Sequence, residues 1–258
     1  MEDHYNFKDR TGERHKSKSC GWVTIVKYRG TFDCDILFED TGHIIENLSY
    51  GNIKLGSVKN PYHPYIYGIG YFGEGKYISR DVNGEKTKAY RVWHDIFERC
   101  YAKNRSVKNR SYQDCNIHSD WHCFQNFATW HEKNYNPEIM EEWHLDKDII
   151  CKDCKMYSAK TCLILPAEIN STINRSGIKK GAYPIGVHLN KRAGTFIARV
   201  TKYGVRISLG SFKTVIEAFK AYKTAKEDYI KELADKWLNL LPKDSYDAVY
   251  KYKVEITD

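Results

Sequence analysis

Residues 183–212 set the tightest constraint on the fold. YPIGVHLN, GTFIARVT and VRISLGSF are three β-rich runs joined by the turn segments NKRAG and KYG, with apolar residues alternating along each run. A period of two marks a strand buried on one face only. Directly afterwards the period changes. Val215, Ala218, Phe219, Tyr222, Ala225, Tyr229 and Leu233 recur at helical spacing behind Thr214, whose hydroxyl suits an N-cap. Three antiparallel strands backed by one long amphipathic helix satisfy both patterns. Val187, Leu189, Phe196, Ala198, Val200, Val205, Ile207 and Leu209 then face the helix. His188, Asn190, Arg199, Thr201, Arg206 and Ser208 are forced onto the opposite, uncovered face, flanked by the turn residues Lys191, Arg192 and Lys202. A β-sheet can enter the DNA major groove, where Arg forks onto guanine and Asn onto adenine. A solvated sheet surface is the alternative.

Upstream, residues 21–56 hold three more β-rich runs, WVTIVKY, DCDILFE and HIIENLS, separated by RGTF and DTG turn signals. They predict a small, curled antiparallel barrel of the Tudor or chromo-like sort. Residues 1–19 are polar and expected to fray, and KNPYHPYIYGIGYFGEGKY reads as a Gly/Pro/Tyr-rich linker. Helical spacing in AYRVWHDIFERCY and DWHCFQNFATWHEKNY places aromatic stripes on two helices, which are expected to be core. Between them, Lys103, Arg105, Lys108 and Arg110 form a basic loop able to touch phosphates or simply to stay solvated. Four of the six Trp are followed directly by His, at Trp93, Trp121, Trp130 and Trp143. In each pair the Trp is expected inside and the His outside.

The net charge of +8 over 258 residues favours a polyanionic partner. No apolar run reaches the length of a membrane span and no signal-peptide core opens the chain, so the expectation is a cytoplasmic protein with no membrane partner. The eight cysteines have no regular framework and read as reduced thiols. Cys151-Lys152-Asp153-Cys154 is a single CxxC. Cys162 or His144 could complete a zinc site, but free thiols fit the spacing better, and structural zinc is not expected.

The segment GVHLNKRAGTFIARVTKYGVRISLGSFKTVIEAFKAYKTA resembles the Apetala-type (ethylene-response-factor) DNA-binding domain in its GV, LGSF and EAFKAY elements. That resemblance implies a three-stranded sheet lying in the major groove, with His188, Asn190, Arg199, Thr201, Arg206 and Ser208 at base-facing places. His188 stands where the family usually has Arg, and Ser208 where it usually has Trp, so the target sequence is not inherited. GSVKNPY, RVWHDIFERCY, DWHCFQNFATW, LDKDI, YSAKTC and the ending VEITD resemble phage-borne HNH endonuclease-like proteins, in which a nuclease core is joined to an Apetala-type domain as in homing endonucleases.

This second resemblance implies a site in residues 143–174. Asp146 would hold a divalent ion, Mg²⁺ or Mn²⁺, with Asp148 and Asn170 as further ligands. Lys147 takes the general-base place. An ordinary lysine, with a pKa of about 10.4, is protonated at neutral pH and cannot be that base. It could instead clamp the scissile phosphate. His144, on the same side of a strand as Asp146, is then the displaced base. Thr161 stands where a metal-binding Asn is often found, leaving Asn170 and Asn174 as replacements.

The expected fold is α+β, in modules at 1–19, 20–58, 59–80, 81–176 and 177–258. These are a flexible N-terminus, a β-barrel-like module, a linker, a helical and degenerate ββα-metal module, and the Apetala-type domain with its extension. The expected function is sequence-directed binding of double-stranded DNA by an HNH-type homing endonuclease or its degenerate descendant, acting as a monomer. The alternatives are an inactive DNA-binding regulator and a phage protein that grips a host protein.

Overall fold

The structure is a computed structural model and describes residues 8–102, 112, 114–135, 142–152, 154–174 and 182–258. The basic loop at 103–110 lies outside them. The fold is mixed α+β, and the chain divides into two compact units, residues 1–104 with 117–129 and residues 105–116 with 130–258.

The first unit opens with strands β1 (Arg14–Lys16), β2 (Trp22–Gly30), β3 (Asp33–Phe38) and β4 (Ile44–Leu48), antiparallel in the order β1-β2-β3-β4. The outer strands β1 and β4 do not pair, so the sheet stays open and the expected barrel is not closed. The segment expected to fray contributes β1, in register with β2 through Arg14↔Thr24 and Lys16↔Trp22. One face buries Val23, Ile25, Cys34, Ile36 and Phe38 against Ile53 of the short helix α1 (Tyr50–Lys54).

The Gly/Pro/Tyr-rich segment is packed within this unit and does not act as a linker. Phe72 stacks on Phe124 at 5.1 Å, Tyr71 N–H donates to the His122 carbonyl, and Gln125 bonds both the amide and the carbonyl of Tyr77. The approach is so close that a Cβ on Gly75 would lie 2.3 Å from Gln125 Oε1. Helix α2 (Lys88–Tyr101), capped by Thr87, buries Trp93, Ile96, Phe97 and Cys100 as its stripe predicts, and Trp93 Nε1 donates to the Trp121 carbonyl at 2.7 Å.

The strand β5 (Asn116–Ile117) and helix α3 (Phe124–Asn134) lie where the chain passes from one unit to the other. Along α3 the Trp–His rule inverts: His131 is buried and Trp130 only half-buried. His131 continues the buried spacing of Phe124, Phe127 and Ala128, and Trp130 falls one position out of phase.

The second unit contains an antiparallel pair, β6 (Trp143–Asp146) with β8 (Leu163–Pro166), joined by a loop that includes β7 (Met156–Tyr157) and followed by helix α4 (Ala167–Ile173). Its C-terminal sheet has the order β11-β10-β9, from β9 (Val187–Asn190), β10 (Thr195–Lys202) and β11 (Val205–Phe212). The long helix α5 (Val215–Lys236) packs on it, starting in a capping box between Thr214 and Glu217. Helix α6 (Lys243–Tyr250) and the chain end pack against α5. There Glu227, itself buried, accepts from the Val254 amide at 3.0 Å and from Lys253.

These parts do not form separate modules. Trp143, Leu163, Leu165 and Ile169 belong to the same buried cluster as Val187, Ala198, Val200, Phe219, Tyr222 and Leu233. Glu168 of α4 reinforces the join by accepting from Lys236 at the end of the long helix and from Trp237 just beyond it. The boundary expected at 176/177 therefore runs through the sequence but not through the core.

Candidate nucleic-acid interface

The outer face of the C-terminal sheet follows from register. Directly opposed residues share a face, so the pairs His188↔Ile197, Arg199↔Ser208, Thr201↔Arg206 and Ile197↔Ser211 define one surface. Asn190 opposes Thr195, and Ser211 donates to Thr195 across the same surface at 2.7 Å. All six residues expected there are present. Thr195, Ile197 and Ser211 join them; the same alternation locates Thr195 and Ile197, whereas Ser211 faces outward only because the register shifts along β11.

Two glycines make this geometry possible. At the shift between Ala198 and Arg199, β11 carries an extra residue, Leu209, beside Gly210 at φ +123°, a conformation that side chains disfavour. Gly186 has φ +79°, and a Cβ there would lie 2.1 Å from the Tyr222 ring. The GV glycine thus sets the sheet against the helix residue Tyr222, and the LGSF glycine stands at the bulge.

The face is electropositive and unneutralised. Lys191 and Arg192 are exposed in the β9–β10 turn, and Arg199 and Arg206 stand on the sheet. Among the described residues none of these four has a carboxylate within 4.0 Å. His188 feels the result: desolvation, then the charges of Arg199 and Arg206, hold its pKa below the ordinary histidine range. Lys202, expected among the DNA contacts, belongs to the other side. It pairs across from Val205, and its Nζ bonds Glu232 of α5 at 3.2 Å and sits 5.5 Å from the Tyr229 ring centre. Helix α5 lies mainly on the central strand, so Leu189, Val205 and Ile207, expected beneath it, remain partly open at the sheet edges.

The second set of expected residues forms a connected polar chain. His144 and Asp146 project to one side of β6. Asn170 and Asn174, four residues apart at the end of α4, lie against them. Asn170 Nδ2 is 3.4 Å from His144 Nδ1, Asn174 Nδ2 donates to Asn170 Oδ1 at 2.9 Å, and it also donates to Asp146 Oδ2. Asp146 is buried, and its other oxygen accepts from the amides of Asp148 and Ile149 at 2.9 and 3.0 Å. Burial raises its pKa above the usual carboxylate range, against these hydrogen bonds.

Lys147 is turned inward. Its ammonium donates to Asp148 and, at 2.9 Å, to the Cys154 carbonyl, and lies 5.9 Å from the Tyr157 ring centre. Burial alone would lower its pKa, but the bond and attraction to Asp148 win, and it is held above the ordinary lysine range. It is therefore neither a base nor a free phosphate clamp. Thr161 ties the loop, donating to the Met156 carbonyl at 2.7 Å.

Carboxylate, amide oxygen and imidazole are suitable donors for Mg²⁺ or Mn²⁺. Here they do not converge. Asp146 already accepts from three N–H donors and Asp148 is held by Lys147. Among the described residues, the group of three His, Cys, Asp or Glu ligand atoms within 4.8 Å of one another is instead His94, Asp95 and Glu98 on α2. The residues do not fit a bound ion as they stand, and no step is derived through one. No helix of the described residues is long and apolar enough to cross a membrane. No family model matches the chain, and no curated protein or solved structure matches it either.

Proposed function

We propose that the chain binds double-stranded DNA through the outer face of its C-terminal sheet, with His188, Asn190, Arg199, Thr201, Arg206 and Ser208 toward the major groove and Lys191 and Arg192 on the backbone. The observation that carries this reading is that Lys191, Arg192, Arg199 and Arg206, on one surface and its turn, have no carboxylate partner among the described residues. Cations at a surface without carboxylate partners suit a polyanion, and a sheet backed on one side only can enter a groove. The resemblance to the Apetala-type domain points the same way.

The test is an electrophoretic and anisotropy assay on a pool of random duplexes in EDTA. Arg199→Ala and Arg206→Ala are each expected to weaken binding by about 1–3 kcal/mol, with affinity falling steeply as salt rises. Lys202→Ala should leave binding nearly unchanged. Equal losses for Lys202→Ala and Arg206→Ala would place the interface elsewhere.

A second reading, phosphodiester cleavage in the manner of an HNH endonuclease, is favoured by one observation: His144, Asn170, Asn174 and Asp146 form an unbroken chain of contacts. The same assay repeated with Mg²⁺ or Mn²⁺ separates the two. Defined fragments that disappear in Asp146→Asn support cleavage, and a shifted but uncut duplex leaves binding alone.

A further inference from the structure

The CxxC at residues 151–154 is not used by either reading above, and its surroundings set it apart. None of the eight cysteines is in a disulfide, and six of them are buried: Cys20, Cys34, Cys100, Cys115, Cys123 and Cys162. Cys151 is exposed and Cys154 half-exposed. The Cys154 amide donates to the Cys151 carbonyl at 3.1 Å, closing a turn across the pair. Such a turn holds the first and fourth Cα within about 7 Å, and a disulfide spans Cα separations of roughly 4.4–6.8 Å. The two thiols also interact directly: the hydrogen bond with Cys154 is the foremost influence on the Cys151 thiol and holds it above the ordinary thiol range. No third His, Cys, Asp or Glu among the described residues joins them within 4.8 Å. The pair therefore offers the chemistry of a vicinal dithiol.

We propose that Cys151 and Cys154 form a reversible dithiol–disulfide couple, oxidised by a low-molecular-weight disulfide of the glutathione class. The exposed Cys151, as thiolate, attacks one sulfur of the small disulfide, forming a mixed disulfide and releasing one small thiolate. Cys154, as thiolate, then attacks the Cys151 sulfur, forming the internal bond and expelling the second. Two electrons and two protons pass from the protein to two small thiols. The Cys154 carbonyl, just outside the ring that closes, receives the Lys147 ammonium, so the couple sits one hydrogen bond from Lys147.

The contrast with the buried thiols makes the assignment specific. Cys162, five residues beyond the loop strand, is buried, so a small disulfide does not reach its sulfur; the thiols of Cys162 and Cys151 are both held above the ordinary range, and access is what separates them.

The full-length reduced protein is equilibrated in buffers of reduced and oxidised glutathione, quenched in acid, alkylated and mapped by peptide mass. The expected result is loss of two hydrogens confined to the peptide containing Cys151 and Cys154, reversed by dithiothreitol, with the six buried cysteines still alkylated as thiols after denaturation. Cys154→Ser is expected to stop at a glutathione adduct on Cys151. Thiols that stay reduced in the most oxidising buffer, or adducts that persist in the wild type without closing, overturn the proposal. So does a Cys154→Ser protein in which Cys151 bridges to another cysteine. Stoichiometric Zn²⁺ retained by the pair and blocking oxidation would make it a metal half-site and equally overturn the couple.

Discussion

In the β6–β8–α4 region each side chain expected to be catalytic has a partner inside the fold: His144 on Asn170, Asp146 on three donors, Lys147 on Asp148 and Cys154. On the outer sheet face and its turn, Lys191, Arg192, Arg199 and Arg206 have no carboxylate partner among the described residues. Both regions rest on one buried cluster, so the contrast does not come from different scaffolds. For Asp146 and Lys147 it comes from where burial falls, both being buried, whereas His144 is exposed. A buried polar group left unpaired costs about 1–3 kcal/mol, so the hairpin region saturates itself. An exposed guanidinium is solvated by water at little cost and can stay available to a ligand.

The shared cluster gives the largest expected effect. Gly186→Ala meets both a positive φ and the Tyr222 ring, and should cost about 3 kcal/mol or more. Hydrogen exchange should then show amides of β6, β8 and β10 losing protection together. Separate loss in the hairpin and the sheet would show two independent cores and break the comparison at its base.

Next is the difference in stability between the regions themselves. Asp146→Ala leaves the Asp148 and Ile149 amides and the Asn174 amide group without their acceptor, and should lower stability by about 2–3 kcal/mol in urea denaturation. Arg199→Ala should stay within about 0.5 kcal/mol of wild type while losing DNA affinity. If the order were reversed, saturation would not be what distinguishes the two sites.

Acidity should act on them with opposite signs. Desolvation, Arg199 and Arg206 lower His188, so below about pH 6.5 the unfolded chain takes up a proton that the folded one resists. Its contribution to stability is present above that pH and shrinks as pH falls. Burial raises Asp146, so the folded state takes up its proton first, and its contribution grows as pH falls through the raised value toward about 3.9. NMR titration of both groups checks the directions. Arg199→Ala should move the His188 midpoint upward, and DNA, adding phosphates, should do the same.

The smallest effect belongs to Lys202. Its pair with Glu232 is solvent-accessible, so Lys202→Ala should cost at most about 1 kcal/mol in thermal denaturation.

The sheet was legible because its determinants are local. Alternation assigned the outward residues, Thr214 marked the helix start, and the GV and LGSF glycines stand where φ turns positive. Lys202 escaped because, next to the Lys202–Gly204 turn, its long stem follows the strand phase toward the helix and reaches Glu232, thirty residues later. The hairpin region was readable in composition but not in state. The sequence places Lys147 between two aspartates, yet only the fold shows that its ammonium also finds the Cys154 carbonyl. Gly and Pro suggested that 59–77 was a tether, whereas its Phe72 and Tyr77 are held by Phe124 and Gln125, contacts that no short window of sequence contains. Barrel closure likewise depends on whether β1 meets β4, which strand count does not decide.

The common core has a consequence for inheritance. A chain cut or recombined between residues 174 and 182 would strand Leu165 and Ile169 on one fragment and Phe219, Tyr222 and Leu233 on the other, each with apolar surface bare to water. Shuffling the sheet alone onto a new host protein should give an insoluble graft. The smallest heritable cassette that carries the sheet is the unit from residue 130 onward, with residues 105–116, and a new target preference has to arise by substitution on its outer face.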